Sequence, residues 1–273
     1  MTGLDTRLQK HLLGQVAKAS DEFGLLEEGD RVMVGMSGGK DSYVMWHLLT
    51  EVQRKAPFRF ELIAVHLDQG HPGFPLHLLE GWLVNNGVPH RILREHTYAI
   101  VREKTPAGKA YCSMCSRLRR GILYNAAVEM GCTKIALGHH RDDAIETLML
   151  NLLYGGQIKA MPPRLVSDDG RNVVIRPLIF CAEAEIAELA RQLEFPVVPC
   201  SLCSQQPDLK RAAVKALIDR LDAENGQVRR NMFAALSNVR PSHLLDSTLR
   251  GANDVGEDEA IAALEGGGAC AST

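Results

Sequence analysis

Between residues 7 and 23 apolar positions recur at Leu8, Leu12, Leu13 and Val16, the spacing of one helical face. This predicts an amphipathic helix that forms an N-terminal appendage at 1–29. From Arg31 the pattern changes. Short, nearly continuous apolar runs, VMVGM at 32–36, LIAVHL at 62–67, RIL at 91–93 and KIAL at 134–137, alternate with helix-length amphipathic stretches. Such runs suit strands buried on both faces of a parallel sheet. The stretches between them carry helical stripes, Val44, Met45, Leu48, Leu49 and Val52 in one, and Ile145, Leu148, Met149, Leu152 and Leu153 in another. The alternation predicts an α/β domain at 30–180 with a doubly wound parallel sheet, whose ligand sits beyond the carboxyl ends of the strands. In RLVSDDGRNVVIRPL, Asp169-Gly170 separates two apolar-rich arms and predicts a hairpin attached after the main sheet. Glu183–Leu193 and Leu209–Leu221 predict two helices of a C-terminal region at 181–246, leaving 247–273 as a mobile acidic tail.

Composition narrows the class. With 45% hydrophobic and 23% charged residues, a chain of 273 buries enough apolar surface to offset its ordering entropy, which excludes disorder as a whole. Thirty-one basic residues against 33 acidic ones give a net charge of −2 and exclude a histone-like positive blanket. The tail holds five acids against one arginine, so the remainder carries about +2. No apolar run is long enough to span a bilayer, and the N-terminus lacks a signal-peptide core. The expectation is a cytoplasmic protein with no membrane association. Seven cysteines without a secretion signal argue against a disulfide scaffold and for metal binding or reactivity.

Chemistry concentrates in three places. The first strand runs directly into Ser37-Gly38-Gly39-Lys40-Asp41-Ser42 and then into a helix. Two glycines permit a tight turn at the helix N-terminus, where backbone N–H groups and the helix dipole favour an anion. Lys40 would set a point charge on phosphate oxygens, Ser37 and Ser42 would donate hydroxyls, and Asp41 could hold hydrated Mg2+. The spacing is not that of a Walker A loop, which needs a glycine where this chain has Val34, and no G-x-G-x-x-G is present. The second place is Gly138-His139-His140-Arg141-Asp142-Asp143, at the end of another strand. Asp142 or Asp143 would cap the following helix, while the cluster as a whole sits where such a sheet binds its ligand. A zinc site there is poor, because neighbours on an extended segment point opposite ways. The third is the pairing of Cys112 with Cys115 and of Cys200 with Cys203, both Cys-x-x-Cys. If the fold joins the two pairs, four thiolates suit structural zinc, whereas an iron-sulfur cluster with an open position would be reactive. Cys132, Cys181 and Cys270 have no partner at ligand spacing. Lys104, Lys109, Arg117, Arg119, Arg120, Lys159, Arg164, Lys210, Arg211, Arg229 and Arg230 could contact RNA phosphates if they converge on one face.

SGGKDS after the first strand resembles the signature of the PP-loop ATP pyrophosphatases. That resemblance implies binding of ATP, cleavage between its α- and β-phosphates, and adenylation of a carbonyl oxygen. It also implies an adenine site at the end of the second strand, at His66, Leu67 and Asp68, although Asp68 reads equally well as a loop cap. The stretches TYAIVREKTPAGKAYCSMCSRLRRGILYNAA, KIALGHHRDDAIETLMLNLLYGGQIKAMPP, IRPLIFCAEAEI and FPVVPCSLCS are similar to the tRNA cytidine-thiolating branch of that superfamily, from about residue 28 to 245. By this resemblance Cys112, Cys115 and Cys203 hold a 4Fe-4S cluster with one iron open. Asp142 becomes a catalytic or metal-orienting acid, tRNA the substrate, and a cysteine desulfurase the sulfur source. A homodimer is compatible with it. Two other readings stand beside it: a PP-loop ligase using an amine nucleophile, as in lysidine synthetase-like enzymes, and a zinc-stapled RNA-binding module without chemistry.

Overall fold

A computed structural model describes residues 5–98, 112–198 and 209–249, with side chains from 116 and from 210 in the last two spans. By contacts the chain divides into two units, 1–229 and 230–273. The first contains a six-stranded sheet in the order β3-β2-β1-β4-β6-β5. Its strands are β1 (Arg31–Gly35), β2 (Glu61–Asp68), β3 (His90–Arg94), β4 (Lys134–Ala136), β5 (Arg164–Val166) and β6 (Val173–Ile175). All neighbours are parallel except β5, which runs antiparallel along β6. The order reverses between β1 and β4, so the carboxyl ends of these two strands flank a crevice. The apolar runs read from sequence are β1 to β4, and the α/β expectation holds, but the run at 91–93 forms the edge strand β3, none of whose residues is fully buried.

Alternation along β1 explains the two layers. Met33 packs with Val65, Ile135 and Val174 against Ala127, Leu123 and Tyr124 of α4 (Cys112–Glu129). Its neighbours Val32 and Val34, also fully buried, face the other way. There α2 (Lys40–Lys55) covers β1 and β2, with α1 (Thr6–Phe23) and α6 (Glu183–Gln192) packed against it. Tyr43 ties α2 to its surroundings, edge-on to Trp82 of α3 (Leu76–Asn85) at 4.9 Å and stacked on Phe195 at 5.2 Å. The remaining helices of this unit are α5 (Arg141–Leu150) and α7 (Leu209–Glu224), packed on each other. The second unit holds most of α8 (Val228–Ala235) and two 3-10 turns, at 241–243 and 247–249. No helix among the described residues is long and apolar enough to cross a membrane.

Three sequence expectations need correction. The Asp169-Gly170 hairpin is not attached after the sheet, because its second arm β6 pairs with β4 and extends the parallel sheet. The N-terminal helix is not peripheral: Leu12, Val16 and Ala19 are fully buried against the α2 layer. The helix carrying Ile145 ends at Leu150 and continues as a π-turn at 151–155, which leaves Leu152 and Leu153 about half exposed. The residues from 250 onward, expected to form the acidic tail, lie outside the described span.

Candidate active site

The phosphate loop stands at the carboxyl end of β1. Gly38 has φ +83°, a left-handed conformation that glycine adopts without strain, and Gly39 caps α2 with no side-chain bond of its own. A Cβ on Gly38 would lie 3.3 Å from Val198 and 3.6 Å from Phe74, so the turn is also sterically closed to larger residues. The two serines shape the loop from inside. Ser37 Oγ accepts from Gly39 N–H at 3.2 Å, and Ser42 Oγ donates to the Gly39 carbonyl at 2.8 Å. The Gly38 carbonyl accepts from Val198 N–H at 2.9 Å, two residues before Cys200 in sequence.

Lys40 points between two carboxylates, 3.0 Å from Asp41 Oδ1 and 3.2 Å from Glu183 Oε1. Burial opposes its charge, but Asp41 and Glu183 outweigh that cost and raise its pKa. Glu183 is partly buried, yet Lys215 at 2.8 Å and Lys40 hold its pKa down to about 2. Both groups are therefore ionised across the physiological range.

At the end of β2, His66 is buried and its Nδ1–H donates to the Met36 carbonyl at 2.7 Å, its ring stacked on Phe74 at 5.2 Å. Its Nε2 is buried and finds no hydrogen-bond partner among the described residues, the kind of orphan that a ligand can satisfy. Burial lowers its pKa, so the ring is neutral. Because Phe74 also lies beside Gly38, the aromatic pair and the phosphate loop share one edge of the crevice. Asp68 caps its own loop, accepting from Gly70 N–H at 2.9 Å.

On the β4 side the backbone comes very close. A Cβ on Gly138 would lie 3.3 Å from the Asp41 carbonyl carbon. The helix cap expected at Asp142 or Asp143 belongs instead to His140, which closes a reciprocal capping box with Asp143 at the third helical position. An imidazole nitrogen can accept like an Asx oxygen, which sequence preference alone does not suggest. Asp142 is buried, and both of its oxygens are engaged: Oδ2 accepts from Glu183 N–H at 2.8 Å and Oδ1 from Arg229 at 2.6 Å. Arg229 also pairs with Asp219 and Asp222, and Arg211 with Asp143 at 2.6 Å and Glu146 at 2.9 Å. These two arginines, read from sequence as RNA contacts, are thus bound into the site's framework. His139 Nδ1 is buried without a partner among the described residues, and its pKa falls to about 4 through burial and the Arg176 charge.

The chain has clear relatives. A family model described as a PP-loop domain matches residues 84–216. The tRNA-cytidine(32) 2-sulfurtransferase of Sorangium cellulosum (strain So ce56) is 55% identical over 243 residues, 89% of this chain and 86% of that one. Its counterpart in Pasteurella multocida (strain Pm70) is 50% identical over 260 residues, 95% and 83% of the two chains. The chain belongs to the tRNA-cytidine(32) 2-sulfurtransferase family. Among solved structures, the U34-tRNA thiolase NcsA from Methanococcus maripaludis, with its [4Fe-4S] cluster, superposes with a TM-score of 0.69 at 24% identity, covering 85% of this chain and 78% of that one. This likeness supports the fold.

Of the cysteines that family resemblance singles out, Cys112 and Cys115 lie in the first turn of α4. Cys200 and Cys203 fall outside the described residues. Among those described, no group of three or more His, Cys, Asp or Glu side chains is arranged to hold a metal ion. Cys132 and Cys181 are free thiols with pKa values raised by burial, Cys181 to about 12, as suits packing rather than nucleophilic roles. Sequence reasoning missed Glu183, Glu146 and Lys215. The usable signal was faint: Glu146 lies one helical turn beyond Asp142, and Glu183 is the first residue of the helix that follows β6 and its turn.

Proposed function

We propose that the protein is an ATP-dependent tRNA sulfurtransferase that converts an anticodon-loop cytidine to 2-thiocytidine. The observation that carries this reading is the phosphate loop, a left-handed Gly38 and an ionised Lys40 at the head of α2, in a chain 55% identical to a tRNA-cytidine(32) 2-sulfurtransferase.

A pyrimidine carbonyl oxygen is a poor leaving group and must be activated. With ATP phosphates against the Ser37–Ser42 loop, the cytidine C2 oxygen attacks the α-phosphorus and pyrophosphate departs. Lys40 meets the charge that develops on the phosphate oxygens, and Asp41 is the carboxylate available to a Mg2+ that accompanies the triphosphate. His66 and Phe74 offer a neutral, stacked surface with one orphan nitrogen for the adenine. Addition of sulfide at C2 and loss of AMP with the former carbonyl oxygen then give the thiocarbonyl. Cys112, Cys115 and Cys203 would hold a 4Fe-4S cluster, which when bound supplies an iron position free of protein ligands for sulfur held on its way from a desulfurase.

The test is anaerobic purification, iron and sulfide analysis, and incubation with unmodified tRNA, ATP and sulfide, followed by mass analysis of nucleosides. The expected result is a brown protein that forms 2-thiocytidine only with ATP, and variants Cys112→Ser, Cys115→Ser and Cys203→Ser that form none. Full activity in Cys203→Ser would favour an amine nucleophile. Colourless protein containing zinc and inert to ATP would favour an RNA-binding module.

A further inference from the structure

Eight ionisable side chains close a ring around the phosphate loop. From Lys40 it passes to Glu183 at 3.2 Å and on to Lys215 at 2.8 Å. Lys215 lies 3.8 Å from Glu146, Glu146 2.9 Å from Arg211, and Arg211 2.6 Å from Asp143. Asp143 then reaches His140 at 3.4 Å, which lies 3.9 Å from Asp41, and Asp41 returns to Lys40 at 3.0 Å. Glu183 is the member shared between the loop and α7. Its carboxylate divides cleanly, one oxygen to Lys40 and the other to Lys215. Its backbone is anchored independently by buried Asp142, so the carboxylate is held in place whichever lysine it serves.

The described residues on either side of 199–208 are each tied to the same loop. Before it, Val198 N–H bonds the Gly38 carbonyl at 2.9 Å. After it, α7 reaches Lys40 through Lys215 and Glu183. A triphosphate seated in the loop draws Lys40 toward its own oxygens, and each hydrogen bond so taken leaves Glu183 to Lys215.

We propose that Glu183 is a positioning residue acting through Lys40: it competes with the triphosphate for the ammonium group and, through Lys215, links occupancy of the phosphate loop to the helix that follows the second cysteine pair. This rests on ATP as the ligand of that loop. Linkage makes the effect reciprocal, so weakening the α7 contact changes nucleotide affinity although Lys215 lies outside the phosphate loop.

The experiment measures affinity of the full chain for a non-cleavable α,β-methylene ATP analogue with Mg2+ by calorimetry, beside hydrogen exchange of peptides covering 209–224. Glu183→Gln removes a competing negative charge and should tighten binding about threefold to fivefold, the range expected of a partly exposed ion pair. Lys215→Met leaves Glu183 to Lys40 alone and should weaken binding by a similar factor. In the double variant the Lys215 effect should vanish, and the analogue should alter exchange in α7 of the unmodified protein but not of Glu183→Gln. Unchanged or weaker binding by a folded Glu183→Gln, or a Lys215 effect that survives in its background, overturns the proposal. Should Glu183→Gln not fold, Lys215→Met decides through the sign of its own shift. A protein that binds no analogue at all removes the nucleotide reading itself, a different failure.

Discussion

At the scale of single residues, charge state decides what each group can do. Lys40 is kept ionised by two carboxylates, and replacing it with alanine removes the one cation aimed at the loop from its own helix. Lys40→Ala should lower kcat/KM for ATP-dependent thiolation by about 100-fold to 1,000-fold, with the melting temperature little changed, as scored by nucleoside mass analysis and thermal melts. His139 titrates in the opposite sense. Burial and Arg176 push its pKa from the usual 6.5 to about 4, so between these values the unfolded chain takes up a proton that the native protein refuses. Its contribution to stability is complete above about pH 6.5 and is lost as pH falls toward 4. Urea unfolding at pH 7 and 4.5 should show that His139→Gln removes up to about 3 kcal/mol of the pH dependence. Sequence made the phosphate loop legible because six consecutive residues carry it. It did not make Glu183, Lys215 or Glu146 legible, since each is an ordinary charge on an amphipathic helix until tertiary contact pairs it.

At the scale of elements, the site is a set of helix ends drawn together. Asp142 joins the N-terminus of α6 to Arg229 and is 3% exposed, so its carboxylate bonds are made away from water. Removing one partner of a buried pair leaves the other uncompensated, and Asp142→Asn should cost about 2 to 4 kcal/mol in denaturant unfolding. A group acting only in chemistry would instead leave stability intact while activity fell. The same packing logic governs Gly138. Its missing Cβ lets the β4 end approach the Asp41 backbone, and Gly138→Ala should displace the head of α2, weakening ATP binding more than it weakens the fold. The three adjoining strands β2, β1 and β4 were legible as continuous apolar runs, because burial on both faces leaves little polar alternation to confuse. The place of β6 was not. Asp169-Gly170 announces a turn, but nothing local says that the arm after it pairs with β4, a partner about 40 residues earlier in the chain. The burial of α1 was hidden for a related reason: a helical stripe reports that a face is covered, not by what.

At the scale of the whole molecule, the charge balance bears on how a polyanion is met. The net charge of −2 conceals an uneven distribution, since residues 247–273 hold five acids and one arginine while the remainder carries about +2. Within the first unit several cations are neutralised by carboxylates, Arg211 by Asp143 and Glu146, and Arg229 by Asp142, Asp219 and Asp222. Long-range attraction for RNA must then come from the modest surplus left over, and an acidic C-terminal stretch opposes it. A chain ending at residue 246 should bind tRNA more tightly at low salt, by about twofold to fivefold for a change of four charges acting through screened solvent. The gain should disappear near 0.5 M salt, where the screening length is a few ångströms. Thiolation at saturating tRNA should be unchanged, because none of the residues assigned to the phosphate loop, the adenine surface or the cysteine set lies beyond 246. Filter binding across a salt series distinguishes this from direct contact. If the removed stretch instead held RNA itself, affinity would fall on truncation, and the slope of log affinity against log salt would fall with it.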